Sequence, residues 1–153
     1  MVELLRAEAD ANPHIPCYRA VLALCAAGAG DLDAARREYE HFAASSFTGI
    51  PHDSNRLLAL VVLADVAATL ADRVGAAVLL ELLAAHQHRQ ALLNCFGGGG
   101  AYWGPVAMHL ARLAVLVDDD RASSWTAAAR RLCEDVGANL VAARIDSHRE
   151  AVG

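Results

Sequence analysis

One spacing recurs along this chain and constrains its fold more than any other feature. Leu22, Asp31, Ala35 and Tyr39 are followed by Leu63, Asp72, Ala76 and Leu80, each pair 41 residues apart. A third copy places Leu110, Asp119 and Ser123 at a further offset of 47 from Leu63, Asp72 and Ala76. Within each copy the apolar residues recur at helical spacing on both sides of an Asp that suits a helix N-cap. Each copy is therefore a helical hairpin. Ala35, Ala76 and Ser123 are expected where its two helices approach closely. A hairpin of this kind buries its apolar face only by stacking on a neighbour.

These offsets predict an all-α chain of 153 residues forming one domain, a superhelix of about three hairpins plus a terminal helix, with no sheet. The hairpins are expected over residues 16–45, 53–84 and 101–136, and the final helix over 139–152. Two prolines, Pro13 and Pro16, set the start of the first hairpin. Asp31, Asp53 or Ser54, and Asp72 are the expected caps. The six extra residues before the third copy fall in a segment, 85–100, that breaks the rhythm and holds Gly97-Gly98-Gly99-Gly100. It is expected to be an irregular loop, with helix resuming near Tyr102.

Composition supports the same class. Apolar residues make up 56 % of the chain, much of it alanine, and aromatics only 5 %. That mixture favours closely packed helices. Apolar runs are interrupted by charges before they reach membrane-spanning length, and Met1-Val2-Glu3-Leu4-Leu5-Arg6 lacks the layout of a signal peptide. A cytoplasmic protein without membrane contact is expected. The net charge of −5 argues against direct nucleic-acid binding, which needs a basic face. Cys17, Cys25, Cys95 and Cys133 form no C-x-x-C pair and read as free thiols.

Gly30-Asp31, Ala35 and Tyr39 resemble the tetratricopeptide consensus; Ala71-Asp72 and Asp118-Asp119 are looser versions of it. The chain from about Asn12 to Arg144 also resembles the helical-repeat region ending many actinobacterial ATPase-containing transcriptional regulators, often LuxR-type, and related cyclase-domain proteins. The segments that carry this likeness are Tyr18–Ala23, Gly30–Arg36, Phe47 with Ile50–Asn55, Tyr102–Ala107 and Gly137-Ala138. The chain has no Walker A sequence and no cyclase domain. The resemblance implies a scaffold in bacterial regulation that binds a protein, a peptide or a small effector, and it implies no catalytic residues. The rival expectation is a small free-standing enzyme or ligand-binding protein of specialised metabolism that uses the inner groove near the glycine-rich segment. A second copy of the chain is a further candidate partner.

The expected binding edge is the interruption itself. His86, His88, Cys95, Phe96, Tyr102, Trp103 and His109 gather there in an aromatic-poor chain. Insertions in repeat proteins tend to lie on one face, often the binding face. His86, His88 and His109 lack the further ligands a metal site needs, and the glycine run lacks the Lys-Ser/Thr of a phosphate loop. Neither metal nor cofactor is expected.

Overall fold

The computed structural model describes residues 2–95 and 99–150, with the side chains of residues 2, 93–95, 99–101, 144 and 146–150 excepted. In chain order the elements are α1 (Val2–Ala11), α2 (Pro16–Gly28), α3 (Leu32–Ala43), α4 (Arg56–Thr69), α5 (Arg73–Ala84), β1 (Gln90–Cys95), β2 (Gly99–Pro105), α6 (Val106–Val117), α7 (Ala122–Asp135) and α8 (Asn139–Glu150). Among the described residues there are thus eight helices and one two-stranded hairpin. α2 pairs with α3, α4 with α5 and α6 with α7, each pair antiparallel across a short turn.

The spacing of 41 and then 47 residues is written into the backbone of those turns. Gly30, Ala71 and Asp118 each take a left-handed conformation, with φ of 81°, 52° and 61°. The amide of the next residue, Asp31, Asp72 or Asp119, then bonds to the carbonyl of Ala26, Ala67 or Ala114 at 3.0, 3.0 and 2.9 Å. This six-residue closure satisfies carbonyls that the helix end leaves bare. α3 and α7 end the same way at Ser46 and Gly137. Asp31 then accepts the Ala34 amide at 3.0 Å and Asp72 the Val74 amide at 3.2 Å, so the turn residue that ends one helix precedes the cap that starts the next. Asp53 caps no helix amide; it accepts the Asn55 amide at 2.9 Å, and α4 starts at Arg56.

Ala71 holds the position where glycine sits in the first turn. A left-handed residue with a Cβ costs roughly 1–2 kcal/mol, and glycine's unfolded-state entropy returns part of that. Ala71→Gly is expected to stabilise the protein by up to about 1 kcal/mol, measured by urea denaturation. A loss of stability would show that Ala71 is unstrained.

The first helices of the pairs stack side by side, α2 on α4 and α4 on α6, while α5 also packs on α6. α4 is therefore enclosed on all sides, and every residue from Leu58 to Ala67 is buried. That explains a helix apolar around its whole circumference. Ala35 and Ala76 are fully buried at the expected close approaches. Ser123 is not: it is exposed, and Trp125 is buried instead. Asp119 turns back to accept the Arg121 amide at 2.9 Å and does not cap the helix, so α7 begins at Ala122 and its inward residues slip by two.

The chain also departs from three hairpins plus a terminal helix at two places. α1 precedes the first hairpin and packs on α2; Arg6 and Arg19 reach the buried Glu38 on α3 at 3.6 and 2.7 Å. The segment expected as a loop over 85–100, with helix from about 101, is an antiparallel hairpin. Its register pairs Ala91 with Gly104, Leu92 with Tyr102, and Cys95 with Gly99. Trp103 is the extra residue of the bulge between Ala91 and Leu92, opposite no partner. Such a bulge re-aims side chains. Gly104 makes it feasible: its φ is +119°, and a Cβ there would lie 2.9 Å from the Met108 side chain and 3.2 Å from Val141. Pro105 ends the strand and is the N-cap of α6. A second, smaller core of Ala107, Met108, Ala129, Cys133 and Ile145 joins α6, α7 and α8.

Candidate functional site

The structure places the residues expected at one edge on different elements, and it brings two of them, Trp103 and His109, onto one carboxylate. His86 and His88 lie in the turn that follows α5, with His88 exposed. Tyr102 and Trp103 are on β2, not on a helix, and His109 is inside α6. Cys95 lies on β1 with its side chain outside the described set, and Phe96 lies outside the described residues altogether.

Tyr102 and Trp103 pin the hairpin to opposite neighbours. The Tyr102 hydroxyl donates to Gln90 Oε1 at 2.7 Å, while Gln90 Nε2 donates to the Leu132 carbonyl of α7 at 3.3 Å. Burial, with Cys133 alongside, pushes the Tyr102 phenol up to about 12. Trp103, half-buried, turns to α4, where its indole Nε1 donates to Asp65 Oδ2 at 3.2 Å.

Asp65 is the centre of the arrangement, and the sequence expectations did not include it. Its Oδ1 meets His109 Nδ1 at 3.0 Å and accepts from Arg112 Nη1 at 3.2 Å. Arg112 also reaches Thr69 Oγ1 at 3.4 Å, and the Thr69 hydroxyl donates to the Asp65 carbonyl at 2.9 Å. Three elements, α4, β2 and α6, thus converge on one carboxylate. Burial by itself would raise the Asp65 pKa; the charge and hydrogen bond of His109, then Arg112 and Trp103, outweigh burial and hold it at about 2. Asp65 is therefore ionised at neutral pH and acts only as an acceptor, so His109 Nδ1 carries the proton between them. His109 Nε2 is buried and has no hydrogen-bond partner among the described residues. Arg112 keeps 31 % of its side chain exposed and Thr69 is exposed, so these two are the solvent-facing members of the cluster.

One sequence signal pointed here. Asp65 is the only charge in α4 after Arg56, and Arg112 stands 47 residues later, the same repeat position one hairpin on. A carboxylate and a guanidinium at equivalent positions of stacked helices are placed to meet.

Other chemistry lies apart from this cluster. A cavity of about 190 Å³ opens between α1, the start of α2 and the end of α3, lined by Pro13, Ile15, Pro16, Arg19, His41 and Phe42 among others. Cys17, Cys25 and Cys133 are free thiols, and burial, aided by Asp53, pushes Cys17 up to about 11. Among the described residues no three His, Cys, Asp or Glu side chains gather as metal ligands, and no helix is long and apolar enough to cross a membrane.

No family model, curated protein or solved structure matches the chain.

Proposed function

We propose that this chain is a non-enzymatic binding module: a tetratricopeptide-like superhelix that engages a protein, peptide or small effector, in bacterial transcriptional regulation. The observation that carries this reading is the Asp65 cluster. The inserted β-hairpin interrupts the repeat and is fastened by Trp103 to Asp65 of α4, the carboxylate that also holds His109 and Arg112 of α6. A half-buried indole beside a half-exposed guanidinium is the composition of a binding hot spot. The repeated turn geometry supports the superhelical part of the reading, because equivalent turns stack equivalent helices in register.

The test is selection of ligands from a displayed peptide library and from a fractionated bacterial metabolite extract, followed by affinity measurement on variants that retain the wild-type circular dichroism. Arg112→Ala and Trp103→Phe are each expected to weaken the selected ligands about tenfold, as loss of an anchor does. Ligands that bind both variants like wild type would move the binding face elsewhere.

One observation favours the rival reading, a small enzyme of specialised metabolism on the same scaffold. Asp65 orients His109 and leaves its buried Nε2 without a partner among the described residues, the arrangement in which a carboxylate prepares an imidazole to accept a proton. Under that reading His109→Gln abolishes turnover while ligand affinity is retained.

A further inference from the structure

At the foot of the β-hairpin the acidic chain becomes locally basic. α5 ends at Ala84, and the chain turns through His86, His88 and Arg89 before β1 begins at Gln90. The Arg89 amide donates to the His86 carbonyl at 2.9 Å, which folds these residues into a single tight turn. Arg56, the first residue of α4, lies close enough to act on His86 electrostatically, together with Arg89 and His88. The Arg56 guanidinium gives one N–H to the Ile50 carbonyl and has four more to offer.

Nothing in the described residues neutralises this group. Among the described residues none of Arg56, His86, His88 and Arg89 makes a salt bridge, whereas Arg19, Arg73, Arg112 and Arg121 are all paired with carboxylates. Asp53 is the nearest carboxylate along the chain, and it is turned onto the Asn55 amide and acts on Cys17. Asn55 provides no side-chain cap for α4, so the amides of that first turn add to the positive potential. His86 Nδ1 is buried without a hydrogen-bond partner. Burial, then Arg89, His88 and Arg56, hold the His86 imidazole below the usual histidine range.

We propose that Arg56, His86, His88 and Arg89 form an oxyanion site for a phosphoryl group presented by the ligand or partner. Like charges crowded without counterions are unfavourable in the empty protein, and a phosphate relieves that repulsion while giving acceptors to both guanidinium groups. A dianion also reverses the local field, so its binding takes up a proton at His86. The inference deepens the binding-module reading, and rests on it, by naming the chemistry of what is bound.

The experiment follows the ring protons of all histidines by NMR against pH, in chloride and in inorganic phosphate at matched ionic strength. Phosphate is expected to raise the apparent pKa of His86 by about one unit, with His14, outside the cluster, unchanged. Arg89→Gln and Arg56→Gln are each expected to remove most of that rise. A rise shared by every histidine, or one that survives both substitutions, overturns the site. Two further arms, a phosphoserine peptide against its unphosphorylated form and a small phosphate ester, tell whether the group arrives on a protein or on a metabolite. Arg112 is held elsewhere, by Asp65 and Thr69. Loss of phosphate binding therefore leaves a positive result for the Arg112 face standing, and failure at Arg112 leaves the phosphate result standing.

Discussion

Replacing Asp65 with alanine is expected to destabilise the protein by about 3–5 kcal/mol, the cost of removing one partner from a buried charge pair. Three donors lose their acceptor together: the Trp103 indole, His109 Nδ1 and Arg112 Nη1. His109 suffers most, because its side chain has no exposure and its other ring nitrogen already lacks a partner. Asp65→Asn is expected to cost less, since an amide oxygen still accepts from His109 or Arg112. Guanidinium denaturation of the three proteins at pH 7 gives the ranking. If alanine and wild type unfold at the same denaturant concentration, the cluster does not hold the hairpin to α4 and α6.

The same carboxylate fixes a pH dependence. Its folded pKa of about 2 lies below the ordinary value of 3.8, so its contribution is present in full above about pH 4 and is lost as pH falls through 2. The difference corresponds to about 2–3 kcal/mol at neutral pH. The stability gap between wild type and Asp65→Asn is expected to narrow steadily from pH 4 to pH 2. A gap independent of pH in that window would mean that Asp65 is not held ionised by its neighbours.

How much of this was legible in the sequence depends on the range of the interactions. Turn chemistry is local, and it fixed the pairs α2/α3 and α4/α5 and their 41-residue spacing through Gly30-Asp31 and Ala71-Asp72. The third copy was legible as far as its turn. Beyond that, Asp119 bonds Arg121 and α7 starts late, so Ser123 was expected where Trp125 lies. The β-hairpin was hidden for a different reason. Leu92-Leu93 is too short an apolar run to separate strand from helix, and the glycines that follow favour neither. The Asp65 cluster was the least visible part, because Trp103, His109 and Arg112 stand 38, 44 and 47 residues from it. Only the stacking of α4 on α6 and the bulge at Trp103 bring them together, and neither is a local property. Tyr102 and Trp103 are expected at one binding edge; the hairpin sends one to α7 and the other to α4.

Gly75→Ala is expected to destabilise the protein by about 1–3 kcal/mol, against the direction that helix propensity alone suggests. Gly75 sits inside α5, where alanine is ordinarily better by about 0.5–1 kcal/mol. What reverses the sign is a contact between hairpins. The Tyr39 hydroxyl of α3 donates to Asp72 Oδ2 at 2.9 Å, while Asp72 Oδ1 takes the Val74 amide that starts α5. One carboxylate thus caps its own helix and holds the neighbouring hairpin. Only a residue without Cβ leaves room: a methyl at Gly75 would overlap the Tyr39 hydroxyl and the Asp72 carboxylate, and would lie 3.2 Å from Tyr39 Cζ. The ring has no retreat, since Tyr39 is fully buried and its other side rests on Phe47 with centroids 5.8 Å apart. The cause can be isolated by a double-mutant cycle. Tyr39→Phe removes the oxygen that the methyl strikes and by itself should cost about 1 kcal/mol, the worth of one hydrogen bond. Combined with Gly75→Ala it should cost less than the two single changes added together, because the overlap is gone and the propensity gain remains. Urea midpoints for the four proteins decide it: strict additivity, or a Gly75→Ala protein more stable than wild type, would place the space beside Gly75 outside the Tyr39–Asp72 contact.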